Sequence, residues 1–183
     1  MSIELIIIII VSILVLAIVS WIIATSNRFK VLLIKIKEAD SGIDVALTKR
    51  YDTLTKLIDV VKSYTKHETE LFERVIKLRS GMSVSEKSEV NQHMDEAMGK
   101  INVIAENYPE LRSSENYKKL QEAIMDAEDH LQASRRVYNM NVSSFNQSIA
   151  VFPASIISNM AKHSPKEFFE IEDHKRADVK INL

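Results

Sequence analysis

The chain has 183 residues, 46% of them hydrophobic and 27% charged, with a formal net charge of -1 and no Cys. That excludes disulfides, thiolate chemistry and cysteine-ligated zinc, and the absence of net basicity argues against general nucleic-acid binding. The length fits one domain rather than two full cores, and three Gly with three Pro are too few for a turn-rich β fold, so a mostly helical chain is expected.

Residues 1–26 hold 20 hydrophobic residues and no Lys or Arg. Between residues 5 and 24 only Ser12 and Ser20 are polar. At about 1.5 Å per residue, that run covers about 30 Å, the thickness of a bilayer's hydrocarbon core. A helix satisfies its own backbone there. Leu5, Ile10, Leu14, Trp21 and Ala24 mark the expected span, with Trp21 near the end where an amphipathic ring suits the interface. A buried core helix is one rival reading and a cleavable signal peptide the other. Against the signal peptide, no positive n-region precedes the run, the run exceeds the usual ~7–15 residues, and no A-x-A-like site follows. Only Glu4 stands before the span, whereas Arg28, Lys30, Lys35 and Lys37 follow it. The positive-inside rule then places the amino terminus outside and the rest of the chain in the cytoplasm.

Beyond the span, apolar positions step by three and four. The first stripe is Ile43, Leu47, Tyr51, Leu54, Ile58 and Val61, resuming at Leu71, Val75 and Leu78. With no Pro before it, this helix is expected to run from the membrane to about Arg79, bending near Gly42, and to stop at Ser80-Gly81. Ser83 or Ser85 is placed to start the next helix; Ser85 followed by Ser88-Glu89 is a partial capping signal. The second stripe is Val90, Met94, Ala97, Ile101, Ile104 and Tyr108, ended by Pro109. The third follows an N-cap at Ser113 or Ser114. It runs Tyr117, Leu120, Ile124, Ala127, Leu131, Ser134, Tyr138, Val142, Phe145, Ile149 and Phe152 before Pro153. Its heptad-like spacing is that of a narrow coiled-coil seam needing partners. A short fourth helix is expected from Pro153 through Ala161. Near the end, Val179, Ile181 and Leu183 alternate with polar residues. This tail reads as disordered, with docking along the bundle or donation as a strand as the alternatives.

The chain offers little chemistry. A four-helix carboxylate metal site needs Glu-x-x-His pairs, whereas His93 and His130 have Glu89 and Asp126 at four residues, and His67 and His174 have only ordinary charged neighbours. No G-x-S-x-G turn or phosphate-cradling Gly-rich loop is present. Catalytic, cofactor and metal residues are therefore all expected to be none. The basic pairs Lys49-Arg50 and Arg135-Arg136 flank stripe tyrosines, so their stems suit core coverage and their heads inter-helix ion pairs. Recognition of an acidic partner is the alternative.

Residues 43–54, Ile43 through Leu54, resemble the first helix of the LemA family, and Leu57-Ile58, Val61 to Tyr64 and His67-Glu68 continue the likeness. Tyr108 to Arg112, Asn116-Tyr117 and Leu120-Gln121 are similar to its second loop and third-helix start. Ser134 to Asn139, Val142, Phe145-Asn146, Ile149 and Phe152-Pro153 resemble its most distinctive signature, and Phe168-Phe169-Glu170 its carboxy-terminal motif. The family tail commonly has Pro before its last alternating residues, where this chain has Ala177-Asp178. The resemblance implies a bacterial single-pass membrane protein with a cytoplasmic helical bundle and no established catalytic activity.

The expected fold is all-α: an N-terminal transmembrane helix, then an elongated antiparallel three- to four-helix bundle. The expected division is an anchor over 1–27, a bundle over 28–163 and a tail over 164–183. The expected role is a self-associating scaffold in the bacterial cell membrane, with the lipid bilayer and copies of itself as partners, further protein partners unidentified, no nucleic acid and no cofactor. A signal-relay adaptor and an unrecognised enzyme are the alternatives.

Overall fold

The computed structural model describes residues 2–65 and 81–169. The elements in order are α1 (Ile3–Tyr64), α2 (Val84–Asn107), α3 (Pro109–Ser113), α4 (Glu115–Ala150) and α5 (Ala154–Met160). Among the described residues there is no strand, and the all-α expectation holds. The expected continuation of the first helix past Tyr64 through Leu71, Val75 and Leu78, and the tail from Glu170 onward, lie outside the described residues.

The chain divides into two compact units: Met1–Glu38 with Met140–Lys166, and Ala39–Asn139 with Glu167–Leu183. In the second unit the expected stripes form the core. Ile43, Leu47, Leu54, Ile58 and Val61 of α1 are buried, as are Val90, Met94, Ala97, Ile101 and Ile104 of α2 and Tyr117, Ile124, Ala127, Leu131 and Tyr138 of α4. Spacing alone produces this, because residues three and four apart share a helix face.

Side-chain pairs give the helix directions. Gly42 lies by Ser134 and Lys49 by Asp126, so α4 runs antiparallel to α1. Asp95 and Glu128 share Arg50 while Asn102 meets Gln121, so it runs antiparallel to α2 as well. Between α1 and α2, Asp40 and Asp44 meet Lys87, and Arg50 meets Asn91 and Asp95. Those two helices therefore run parallel. Thr65 and Gly81 therefore lie at opposite ends of this unit, about 35–40 Å apart by helix rise.

Local signals explain the ends. Ser83 caps α2 through a full capping box, its hydroxyl accepting from the Glu86 amide and the Glu86 carboxylate accepting from the Ser83 amide. The signal is the Ser83-Val84-Ser85-Glu86 quartet, two residues earlier than the partial one at Ser85. Gly81 takes φ 82°, in the left-handed region. Pro109 ends α2 and opens α3, whose single turn buries Leu111.

The first unit has its own small core of Phe29, Ile36, Val142, Phe145, Ile149 and Ile157. The His163 ring stands edge-on to Phe29 and Phe145, at 5.3 and 5.8 Å. It is aimed there by the end of α5, where Lys162 adopts φ 55°. The amides of Lys162 and His163 donate back to the carbonyls of Asn159 and Ser158, the paired bonds of a Schellman motif. One stripe position departs from expectation. Phe152 is 76% exposed, because α4 ends at Ala150 and the turn through Val151, Phe152 and Pro153 leaves the helical register.

Candidate functional site

In the first unit, the expected span residues Leu5, Ile10, Leu14, Trp21 and Ala24 all lie exposed on α1. Burial explains none of this apolar surface. Of the described helices, α1 alone is long and apolar enough to cross a membrane. Arg28, Lys30, Lys35 and Lys37 are exposed as well, so each ammonium or guanidinium remains hydrated. Trp21, Thr25, Arg28 and Phe29 line one side of a cleft of about 440 Å³, and Ser144, Gln147, Ser148 and residues 151–154 line the other.

In the second unit, two cations are buried between helices. Arg50 reaches Asn91, Asp95 and Glu128, with its guanidinium Nη2 3.0 Å from the Glu128 carboxylate. Lys87, its side chain 3% exposed, lies 2.6 Å from Asp40 and 2.7 Å from Asp44. Burial pulls the Lys87 ammonium down, but the hydrogen bonds and charges of the two carboxylates outweigh it and raise its pKa above the ordinary lysine value. Burial, with the Asp40 charge adding to it, pushes the Tyr138 phenol up. By contrast, Lys49 and Asp126 meet at 2.5 Å on the surface, and hydrogen bonding to Lys49 holds the Asp126 carboxyl below its usual range.

The Lys49-Arg50 pair thus makes the expected inter-helix contacts. The guanidinium of Arg135 lies 4.7 Å over the buried ring of Phe169. Lys87 was not singled out from sequence. Its signal was there, however, since it stands three residues before Val90 and so extends the second stripe backward with a charge.

Two asparagines of α4 hold extended backbone. In the second unit the Asn139 amide donates to the Phe169 carbonyl and accepts from the Phe169 amide, at 3.0 and 2.8 Å. The Tyr138 hydroxyl donates to the Glu167 carbonyl. In the first unit Asn146 makes the same reciprocal pair with Lys166, at 2.9 and 2.8 Å. The start of the carboxy-terminal segment, as far as Phe169, is therefore docked.

Among the described residues no group of three or more His, Asp or Glu is gathered to hold a metal. His93 lies near Glu89 and Glu96, and His130 near Asp126, at 3.6 to 3.9 Å along single helices. His67 and His174 lie outside the described residues. The buried cations are neutralised by carboxylates fixed to neighbouring helices, so this arrangement joins helices.

The chain is similar in sequence to known proteins. Protein LemA of Metamycoplasma hominis is 29% identical over 150 residues, covering 79% of this chain and 68% of that protein. Magnetosome protein MamQ of Magnetospirillum gryphiswaldense is 26% identical over 73 residues, covering 40% of this chain and 27% of that protein. MamQ 2 of Paramagnetospirillum magneticum shows the same identity over 74 residues. The LemA family model matches residues 39–183, most of the chain, and the chain belongs to the LemA family.

Proposed function

We propose that this protein is a membrane-anchored helical scaffold that self-associates and organises membrane or recruits proteins, with its amino terminus outside and its bundle in the cytoplasm. The observation that carries the reading is the wholly unburied apolar stretch of α1, continuous with the helix that supplies core residues to the bundle. The basic residues Arg28, Lys30, Lys35 and Lys37 support the orientation. The consumption of Arg50 and Lys87 in inter-helix ion pairs supports a structural role over a catalytic one. Anchoring on a shared surface raises local concentration, so weak lateral contacts suffice for assembly.

Mass in mild detergent tests self-association: light scattering should give a particle larger than one chain, and a monomer at every concentration refutes that part. Orientation is tested with single cysteines, since the chain has none of its own. A cysteine at exposed Val103 should react with an impermeant maleimide only after cells are opened.

A second reading is an adaptor for one cytoplasmic partner, favoured by the uninterrupted 62-residue course of α1. Proximity labelling separates the two, because a scaffold labels mainly itself and an adaptor labels one stoichiometric partner.

A further inference from the structure

The α4–α5 corner of the first unit exposes a compact set of large apolar side chains. Val151 and Phe152 stand on the turn, and Ile156 and Met160 lie four residues apart on one face of α5. Phe152 and Met160 are 76% and 80% exposed. Such a patch at a helix corner needs an explanation, and the core supplies none, since α5 buries Ile157 and Ser158 instead.

Its surroundings point to an occupant. The cleft that Val151, Phe152 and Pro153 line on one side is lined on the other by Trp21, Thr25 and Arg28. The corner is therefore level with the end of the apolar run, where a tryptophan and the first cation mark a bilayer's interfacial zone. Charge agrees. Over residues 25–38 and 140–166, the part of this unit beyond the apolar run, Arg28, Lys30, Lys35, Lys37, Lys162 and Lys166 face one acidic residue, Glu38. All six cations are exposed. Exposed apolar side chains with Arg28 in the same cleft, on a unit that is basic throughout beyond its apolar run, match the combination that binds anionic leaflets.

We infer that the α4–α5 corner is a second membrane contact, inserting Val151, Phe152, Ile156 and Met160 into the anionic phospholipid leaflet that α1 leaves. This rests on the reading of α1 as an anchor. The corner would then hold the first unit against the membrane surface, where a lone helix would leave it free to swing.

The single tryptophan makes the two ideas separable. Wild-type protein, a Trp21→Phe/Phe152→Trp variant and a Trp21→Phe/Met160→Trp variant are reconstituted into phosphatidylcholine vesicles with and without phosphatidylglycerol. Each lipid mixture carries bromine near the glycerol end of its chains, and circular dichroism confirms each fold. Wild-type Trp21 should be quenched in both lipids. The indole at position 152 or 160 should lose fluorescence roughly twofold, with a blue shift, and more strongly in the anionic vesicles. Quenched Trp21 with unquenched, red-shifted indoles at both 152 and 160 overturns the second contact and leaves the anchor standing. Unquenched Trp21 overturns the anchor and the inference with it. Equal quenching in the two lipids overturns the preference for anionic lipid.

Discussion

Replacing Arg50 with Met keeps the aliphatic stem in the core and removes the charge that three acceptors share. The Arg50 side chain is 5% exposed, and its partners Asp95 and Glu128 are 21% and 25% exposed. Removing one member of a buried pair typically costs about 3–5 kcal/mol, because the remaining charge is stranded. Both carboxylates here keep some water, which places this case near about 3 kcal/mol. For a chain of this size that lowers the Tm by roughly 6–12 °C. The assay is thermal denaturation of the full chain in mild detergent, followed by circular dichroism. Lys49→Met is the control: its partner Asp126 lies on the surface, and its Tm should not move measurably. Adding Asp95→Asn and Glu128→Gln to the Arg50→Met chain should restore part of the loss, since neutral amides are stranded at lower cost. A Tm for Arg50→Met equal to that of Lys49→Met would refute the reasoning, showing that Asp95 and Glu128 need no counter-charge.

Lys87, whose folded pKa is raised, contributes stability that is complete below the unfolded value of 10.5 and is lost as pH rises through the folded value. The melting gap between wild type and Lys87→Met should therefore be constant through neutral pH and close only above 10.5. Gly42 lies inside α1, and an added Cβ would meet only Ser134 Oγ at 3.9 Å. Gly42→Ala should accordingly stabilise by about 0.5–1 kcal/mol in urea titrations. Asn139→Leu removes both bonds to Phe169, and hydrogen exchange at the Phe169 amide should speed by about tenfold or more.

Much of the bundle was legible because burial on a helix has a period. Ile43, Leu47, Met94, Ile101 and Leu131 followed from spacing alone, and each is fully buried. Directions were not legible, since periodicity states which face is buried and not which end of a neighbour it meets. Phe152 was misplaced for a related reason: extending a stripe by three or four assumes that the helix continues, and Pro153 intervenes. Arg50 was legible as an ion-pairing residue, but its depth was not, because Asp95 and Glu128 come from two other helices. Lys87 was hidden by its type. A lysine on a stripe reads as an interruption until Asp40 and Asp44 are seen opposite it.

The asparagine clips have a consequence for how this chain can drift in sequence. Asn139 and Asn146 grip main-chain atoms of Phe169 and Lys166, and every amino acid except proline carries that amide and carbonyl. At Lys166 the gripped backbone therefore tolerates almost any side chain. The gripping residue tolerates almost none. Aspartate, one atom different and the product of ordinary deamidation, cannot donate, and would set its own oxygen against a carbonyl. Chemical ageing at either asparagine would thus unfasten a segment that replacement of its neighbour would leave in place.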